Sequence, residues 1–203
     1  GVEIDINAKV LRKKDFSLDI NANISHNKNK VIELPSNGLE NNRQNAIQVY
    51  DSKTGQLKWV GGYQEGQRPG DIYAYKAKGI YRDWDHVNSV AANRKDISTR
   101  NNGSNNRPLY GPTLWATLTD AQKNSGLPIM PGDVIWEDVN GDNIIDQYDK
   151  VKVGNVNPIW FGGFNTVASW KGLTFTARLD FALGFKQIDY IRPWFLAMAQ
   201  GSF

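Results

Sequence analysis

The sequence predicts a mainly β protein built on long antiparallel strands, each with one apolar and one wet face. Two long stretches, residues 2–25 and 160–183, alternate apolar and polar residues with period two. Each stretch is interrupted by a short turn signal, as in a hairpin. The residues between them, 31–157, are rich in Asn, Gly, Pro and Tyr and read as loops with short elements.

In residues 2–10, Val2, Ile4, Ile6, Ala8 and Val10 alternate with Glu3, Asp5, Asn7 and Lys9. Successive strand side chains point to opposite faces, so this pattern buries one face in something apolar and leaves the other wet. The basic stretch Leu11-Arg12-Lys13-Lys14 reads as the connection. The alternation then returns with Phe16, Leu18, Ile20, Ala22 and Ile24 on one face, and Ser17, Asp19, Asn21 and Asn23 on the other. Short strands are expected at residues 46–50, 57–63, 72–81 and 134–137, and a short helix at 119–124 with Thr119 as N-cap. In residues 160–170, Trp160, Gly162, Phe164, Thr166, Ala168 and Trp170 share a face. A turn at Trp170-Lys171-Gly172 leads into residues 173–183, where Leu173, Phe175, Ala177, Leu179, Phe181 and Leu183 oppose Thr174, Thr176, Arg178 and Asp180.

Strands of a soluble β-sandwich also alternate, but they usually run about five or six residues. The runs here approach the roughly 9 to 11 residues of a tilted bilayer crossing. Aromatic residues at the strand ends suit the interfacial girdles of a membrane barrel. Alternation alone leaves both architectures open. No run of about 18 apolar residues occurs, so no transmembrane helix is expected. The 203 residues carry a net charge of only +3, with basic residues scattered among acids, so the pI near 9.0 does not imply a nucleic-acid partner. Cysteine is absent and there are two histidines, which excludes thiol chemistry and a His-rich metal site. There is no signal-peptide pattern. The first residues already read as the inside of a strand, as in a piece of something larger.

The sharpest local motif runs from Asp138 to Asp149. Calcium loops of the EF-hand kind place oxygen ligands at positions 1, 3, 5, 7, 9 and 12. Those positions here hold Asp138, Asn140, Asp142, the Ile144 carbonyl, Asp146 and Asp149. A hard cation wants six to eight oxygens, which this spacing wraps around one point, so bound Ca²⁺ is expected. Asn143 stands where the loop normally needs Gly, and Asn tolerates the left-handed conformation. The competing reading is an Asx-rich turn whose carboxylates cap backbone amides. Trp84 and Trp115 are weak candidates for stacking on a sugar, against the commoner reading of local packing. Asp83 and Asp85 flank Trp84, but such pairs are mostly solvated loop charges. No nucleophile or general base stands out, and no catalytic residue is expected.

Four segments, in order, resemble the C-terminal half of the barrel in SusC/RagA-type TonB-dependent outer-membrane transporters. They are Gly1-Val2-Glu3-Ile4-Asp5 through Phe16-Ser17-Leu18-Asp19 to Val31; Gly70-Asp71-Ile72-Tyr73 to Ile80-Tyr81; Pro131-Gly132-Asp133 through Trp136-Glu137-Asp138-Val139-Asn140-Gly141-Asp142 to Asp149; and Gly154-Asn155-Val156-Asn157-Pro158 with Trp170-Lys171-Gly172-Leu173. The resemblance implies a barrel of about 22 strands closed by a plug. It also implies the outer membrane of a Gram-negative bacterium, uptake of an oligosaccharide or peptide, a SusD-like surface lipoprotein as partner, and coupling to TonB. The plug, the TonB-contacting segment and the closing strand of that pattern are missing. Expected segments are a barrel hairpin at 1–30, a mainly extracellular loop region at 31–157, and a second hairpin with its following loop at 158–203. The alternative is a secreted, calcium-stabilised, β-rich carbohydrate-binding module.

Overall fold

The computed structural model describes residues 1–97 and 107–189. The Asn101–Asn106 loop signal and the stretch after residue 189 lie outside them. In chain order the elements are β1 (Val2–Lys13), β2 (Phe16–His26), β3 (Ile47–Asp51), β4 (Gln56–Val60), β5 (Asp71–Ala74) and β6 (Ala77–Ile80). Helix α1 (Trp84–Asn88), β7 (Lys95–Asp96), β8 (Leu109–Tyr110), α2 (Pro112–Thr117), α3 (Asp120–Ser125) and β9 (Leu127–Pro128) follow. The chain ends with β10 (Val134–Trp136), β11 (Val151–Asn155), β12 (Trp160–Trp170) and β13 (Leu173–Leu183). No helix among the described residues is long and apolar enough to cross a membrane, which says nothing about strands.

Two compact units organise these elements. The first gathers Gly1–Arg43, Tyr63–Ile72 and the chain from Val153 onward. Its centre is a four-stranded antiparallel sheet in the order β1-β2-β12-β13. Among the described residues the sheet is open, with β1 and β13 as its edges. Both long hairpins expected from the alternation are present, and they lie side by side through the β2–β12 ladder. Lys171 (φ 45) and Gly172 (φ 89) form the turn between Trp170 and its partner Leu173. Two consecutive positive φ angles match the right-handed twist of the flanking strands, and glycine adopts one without steric cost.

The first hairpin differs from the expectation in one respect. β1 continues through the basic stretch to Lys13, and only Lys14 and Asp15 turn. The register shifts between Lys9 and Leu11, so Val10 is the extra residue of a β-bulge. The bulge moves Leu11 onto the apolar face and Arg12 onto the wet one.

The second unit comprises Gln44–Gly62 and Tyr73–Lys152. It holds the β3–β4 hairpin, the β6–β10 pair and the small β7-β8-β9 sheet. Its core is Tyr81, Val87, Leu109 and Ile129, with Val90, Leu127 and Ile135 packed around them. Each such large side chain contributes about 1.5–3 kcal/mol on full burial. The helix predicted at 119–124 is present as α3. Thr119 and Gln122 form a reciprocal capping box at its N-terminus. The single long strand expected over 72–81 is split into β5 and β6.

Candidate functional site

The register sorts the four-stranded sheet into cross-strand rows. One face carries the rows Ile4–Ile24–Gly162–Phe181, Ile6–Ala22–Phe164–Leu179, Ala8–Ile20–Thr166–Ala177 and Leu11–Leu18–Ala168–Phe175. The other carries Asp5–Asn23–Gly163–Asp180, Asn7–Asn21–Asn165–Arg178, and Lys9–Asp19–Val167–Thr176. Nearly every row is uniform in polarity across four strands that are far apart in sequence. Register is fixed this strongly only where one face must meet an apolar medium.

The apolar face has no protein against much of its surface. Ile4 is 52% exposed, Phe175 65% and Leu179 64%; Leu18, on a central strand, is half-buried. The one hydroxyl in these rows is hidden, since Thr166 Oγ1 donates to the Asp19 carbonyl at 3.2 Å. On the wet face both arginines have carboxylate partners. Arg12 Nη2 lies 2.5 Å from Asp19, and Arg178 Nε donates to Asp180 at 3.1 Å. The Asn23 side-chain oxygen accepts the Gly163 N–H at 2.7 Å. A cavity of about 440 Å³ lies along this polar wall, lined by Asp5, Asn7, Asn21, Asn165 and Arg178 among others.

At one end of the apolar face the His26 and Trp160 rings meet in a tilted contact, with centroids 4.5 Å apart. At the other end, Phe16, Trp170 and Leu173 form the last row beside the turns. The Lys171 N–H donates to the Asp15 carbonyl at 3.0 Å, so the two hairpin turns sit together. Along β12 the aromatic ends are ten residues apart, about 33 Å at the usual rise. A tilt near 45° brings that to roughly 23 Å, close to the height of the apolar band of a barrel.

The acidic loop lies in the second unit. Its backbone turns as the sequence suggested, with Gly141 at φ 79 and Asn143 at φ 66. Its side chains are directed largely at backbone amides. Asp138 accepts from Gly141 N (2.7 Å) and Asn143 N (2.8 Å), and Asp142 accepts from Ile144 N (2.7 Å). Asn140 accepts from Asp142 N at 3.1 Å, and Asp146 accepts from Tyr148 N at 2.8 Å. Asp149 closes the loop by accepting from Val139 N (2.8 Å) and Asp146 N (2.9 Å). It is fully buried; desolvation pushes its carboxyl up, against the pull of those two amides. Among the described residues no three His, Cys, Asp or Glu side chains converge as a metal would require. The Ile144 segment is fixed from outside. Ile145 N donates to the Lys95 carbonyl at 2.8 Å, and Lys95 N to the Asn143 carbonyl at 3.0 Å.

Beside the loop lies a buried network that the sequence reading missed. Arg94 Nη2 stands 2.6 Å from Asp96 Oδ1, and Tyr81 Oη donates to Asp96 Oδ2 at 2.9 Å. Arg94 Nη1 is 3.9 Å from Asp138, so one guanidinium joins the network to the acidic loop. Burial pushes the Asp96 carboxyl up, and Arg94 and Tyr81 pull it down. The Tyr81 phenol is also raised, first by burial and then by the Asp96 charge. No local sequence signal joins Tyr81, Arg94, Asp96 and Asp138.

The two tryptophan candidates separate. Trp84, the first residue of α1, is 56% exposed. Trp115 in α2 is half-buried, its ring 6.2 Å from that of Tyr110 and 5.9 Å from the Lys123 ammonium. Neither lines the cavity of the polar wall. Asp83 caps α1 by accepting from His86 N at 2.8 Å, which accounts for one member of the Asp83–Asp85 pair.

An antiparallel sheet with one continuous apolar face and one polar face is the class of structure these rows define. Its relatives by sequence are TonB-dependent receptors. The chain is similar to two proteins of Formosa agariphila. One, TonB-dependent receptor P39, is 27% identical over 201 residues, which is 95% of this chain and 17% of that protein. The other, TonB-dependent receptor P3, is 24% identical over 190 residues, 94% of this chain and 15% of that protein. Among solved structures, one titled as the RagAB peptide transporter is similar at a TM-score of 0.43 and 15% identity, covering 90% of this chain and 14% of that one. No family model matches. The chain thus spans less than a fifth of the length of the relatives it matches.

Proposed function

We propose that this chain forms part of the barrel wall and outer loops of a SusC/RagA-type TonB-dependent transporter. On this reading the parent protein lies in the outer membrane of a Gram-negative bacterium. It imports a glycan or a peptide with a SusD-like surface lipoprotein and draws on TonB through parts outside this chain. The observation that carries the reading is the polarity of the rows across β1, β2, β12 and β13. An apolar face this continuous and this exposed needs lipid against it. In a soluble carbohydrate-binding module, the alternative reading, the same face would be an aggregation liability, and so would the open edges.

The paired turns at Lys14–Asp15 and Lys171–Gly172 then face the periplasm, because barrels have short periplasmic turns and long outer loops. The second unit, with Trp84 and the acidic loop, belongs outside the cell, where it meets substrate or the lipoprotein. Calcium at Asp138, Asn140, Asp142, Ile144, Asp146 and Asp149 is part of the proposal on ligand spacing alone. Its role would be to stiffen the loop, and the amide-capped geometry is the competing account. The test is to locate the full-length parent. Recovery in the outer-membrane fraction, copurification with a surface lipoprotein, and loss of glycan or peptide uptake on deletion support the reading. A parent soluble without detergent refutes it.

A further inference from the structure

We propose that the turn end of the four-stranded sheet is a binding site for the headgroups of acidic phospholipids. The inference rests on the reading of this sheet as a membrane wall. The last row of the apolar face is Lys13–Phe16–Trp170–Leu173, so an ammonium stands in line with two aromatics and a leucine. It directly follows the exposed apolar row that ends in Phe175. Lys13, Lys14 and Lys171 are all exposed. The Lys171 ammonium lies 5.5 Å from the centroid of the Trp170 ring.

Charge accounting supports an anion. Arg12 is taken by Asp19 at 2.5 Å and contributes no free charge. Asp15 is the one carboxylate in the turns, against the three ammoniums of Lys13, Lys14 and Lys171. The paired turns therefore present a net positive charge at the level where the apolar face ends. A lysine at that level runs its apolar stem along the hydrocarbon and holds its ammonium among the headgroups. Tryptophan prefers the same level, with its ring on the apolar side and its N–H toward water. Position and charge together select a phosphate attached to acyl chains over a free anion: the chains meet Phe16, Trp170 and Leu173 while the phosphate meets the lysines. The last row at the opposite end, Val2–His26–Trp160–Leu183, holds no lysine.

The test uses the full-length parent in phosphatidylcholine bilayers containing phosphatidylglycerol. The readout is the preference of protein-bound lipid for phosphatidylglycerol, measured by native mass spectrometry or with spin-labelled lipids. One basic side chain at an anionic membrane surface is worth about a fivefold preference. The triple variant Lys13→Gln, Lys14→Gln, Lys171→Gln should therefore lose at least about fivefold. Should that variant fail to insert, the wild-type preference still decides, because it must fall as salt is raised. Inorganic phosphate added at the same concentration as the lipid should leave the preference intact. No wild-type preference, a preference unaffected by salt, one retained by an inserted triple variant, or one abolished by inorganic phosphate would each overturn the proposal. Failure of the parent to enter bilayers at all would instead strike the membrane reading beneath it.

Discussion

Leu179 tests the wall assignment with a single substitution. It sits near the middle of β13, in the row Ile6–Ala22–Phe164–Leu179, about halfway between the aromatic ends of the sheet. At 64% exposure its side chain meets little protein, so its environment in the parent is whatever covers that face. If lipid covers it, Leu179→Arg places a guanidinium near the bilayer midplane at a cost of about 2–4 kcal/mol. With 1.4 kcal/mol per factor of ten, that is roughly a 30- to 700-fold loss in the folding equilibrium. Thr176→Arg, in the wet row Lys9–Asp19–Val167–Thr176, should cost little, because a hydrated lumen accepts the charge. Denaturant unfolding of the parent in lipid vesicles measures both. Equal costs for the two variants, or a larger cost at Thr176, would refute the reasoning, since no lipid-facing surface could then be assigned to the Leu179 row.

Other outcomes follow from the second unit. Arg94→Met leaves the Asp96 carboxylate buried without its counter-ion, and removing one partner of such a pair costs about 3–5 kcal/mol. Because the folded-state pKa of Asp96 is raised above its ordinary 3.8, the penalty is absent below that value and grows as pH rises through the folded pKa. Unfolding titrations should thus show Arg94→Met more harmful at neutral pH than at acid pH; a pH-independent loss would contradict the pairing. Asp142→Ala should lower loop stability in calcium, with little extra effect in chelator, if the cation reading holds. Equal destabilisation in both would favour the self-capped loop. Trp84→Ala should impair uptake or lipoprotein docking without changing barrel assembly, and unchanged uptake and docking would remove Trp84 as a contact.

The two hairpins were legible because period two is written residue by residue in Val2 to Ile24 and Trp160 to Leu183. The bulge has a trace too. Val10 and Leu11 are consecutive apolar residues, and the alternation changes phase between them. Its consequence, a strand running on to Lys13, was hidden by the basic composition of Arg12-Lys13-Lys14. The second unit was less legible because its elements are short and its core joins distant positions. Tyr81, Val87, Leu109 and Ile129 show no period that a window could detect. The acidic loop was readable as a motif, since Gly141 and Asn143 announce the turns. Whether its oxygens hold a cation or cap amides depends on side-chain direction, which spacing does not encode. The Tyr81–Arg94–Asp96–Asp138 network lies beyond local reading for the same reason, since three separate segments build it.

The central claim is that the β1-β2-β12-β13 sheet is a membrane wall with a defined lipid side. Single-cysteine labelling of the parent in its native membrane tests it most directly, with each cysteine placed in this stretch, which has none of its own. Spin labels at Ile4, Leu18, Phe175 and Leu179 should be quenched by oxygen dissolved in the lipid, and labels at Asp5, Asp19 and Arg178 by a water-soluble nickel reagent. The reverse pattern, or water accessibility on both faces, would contradict the account.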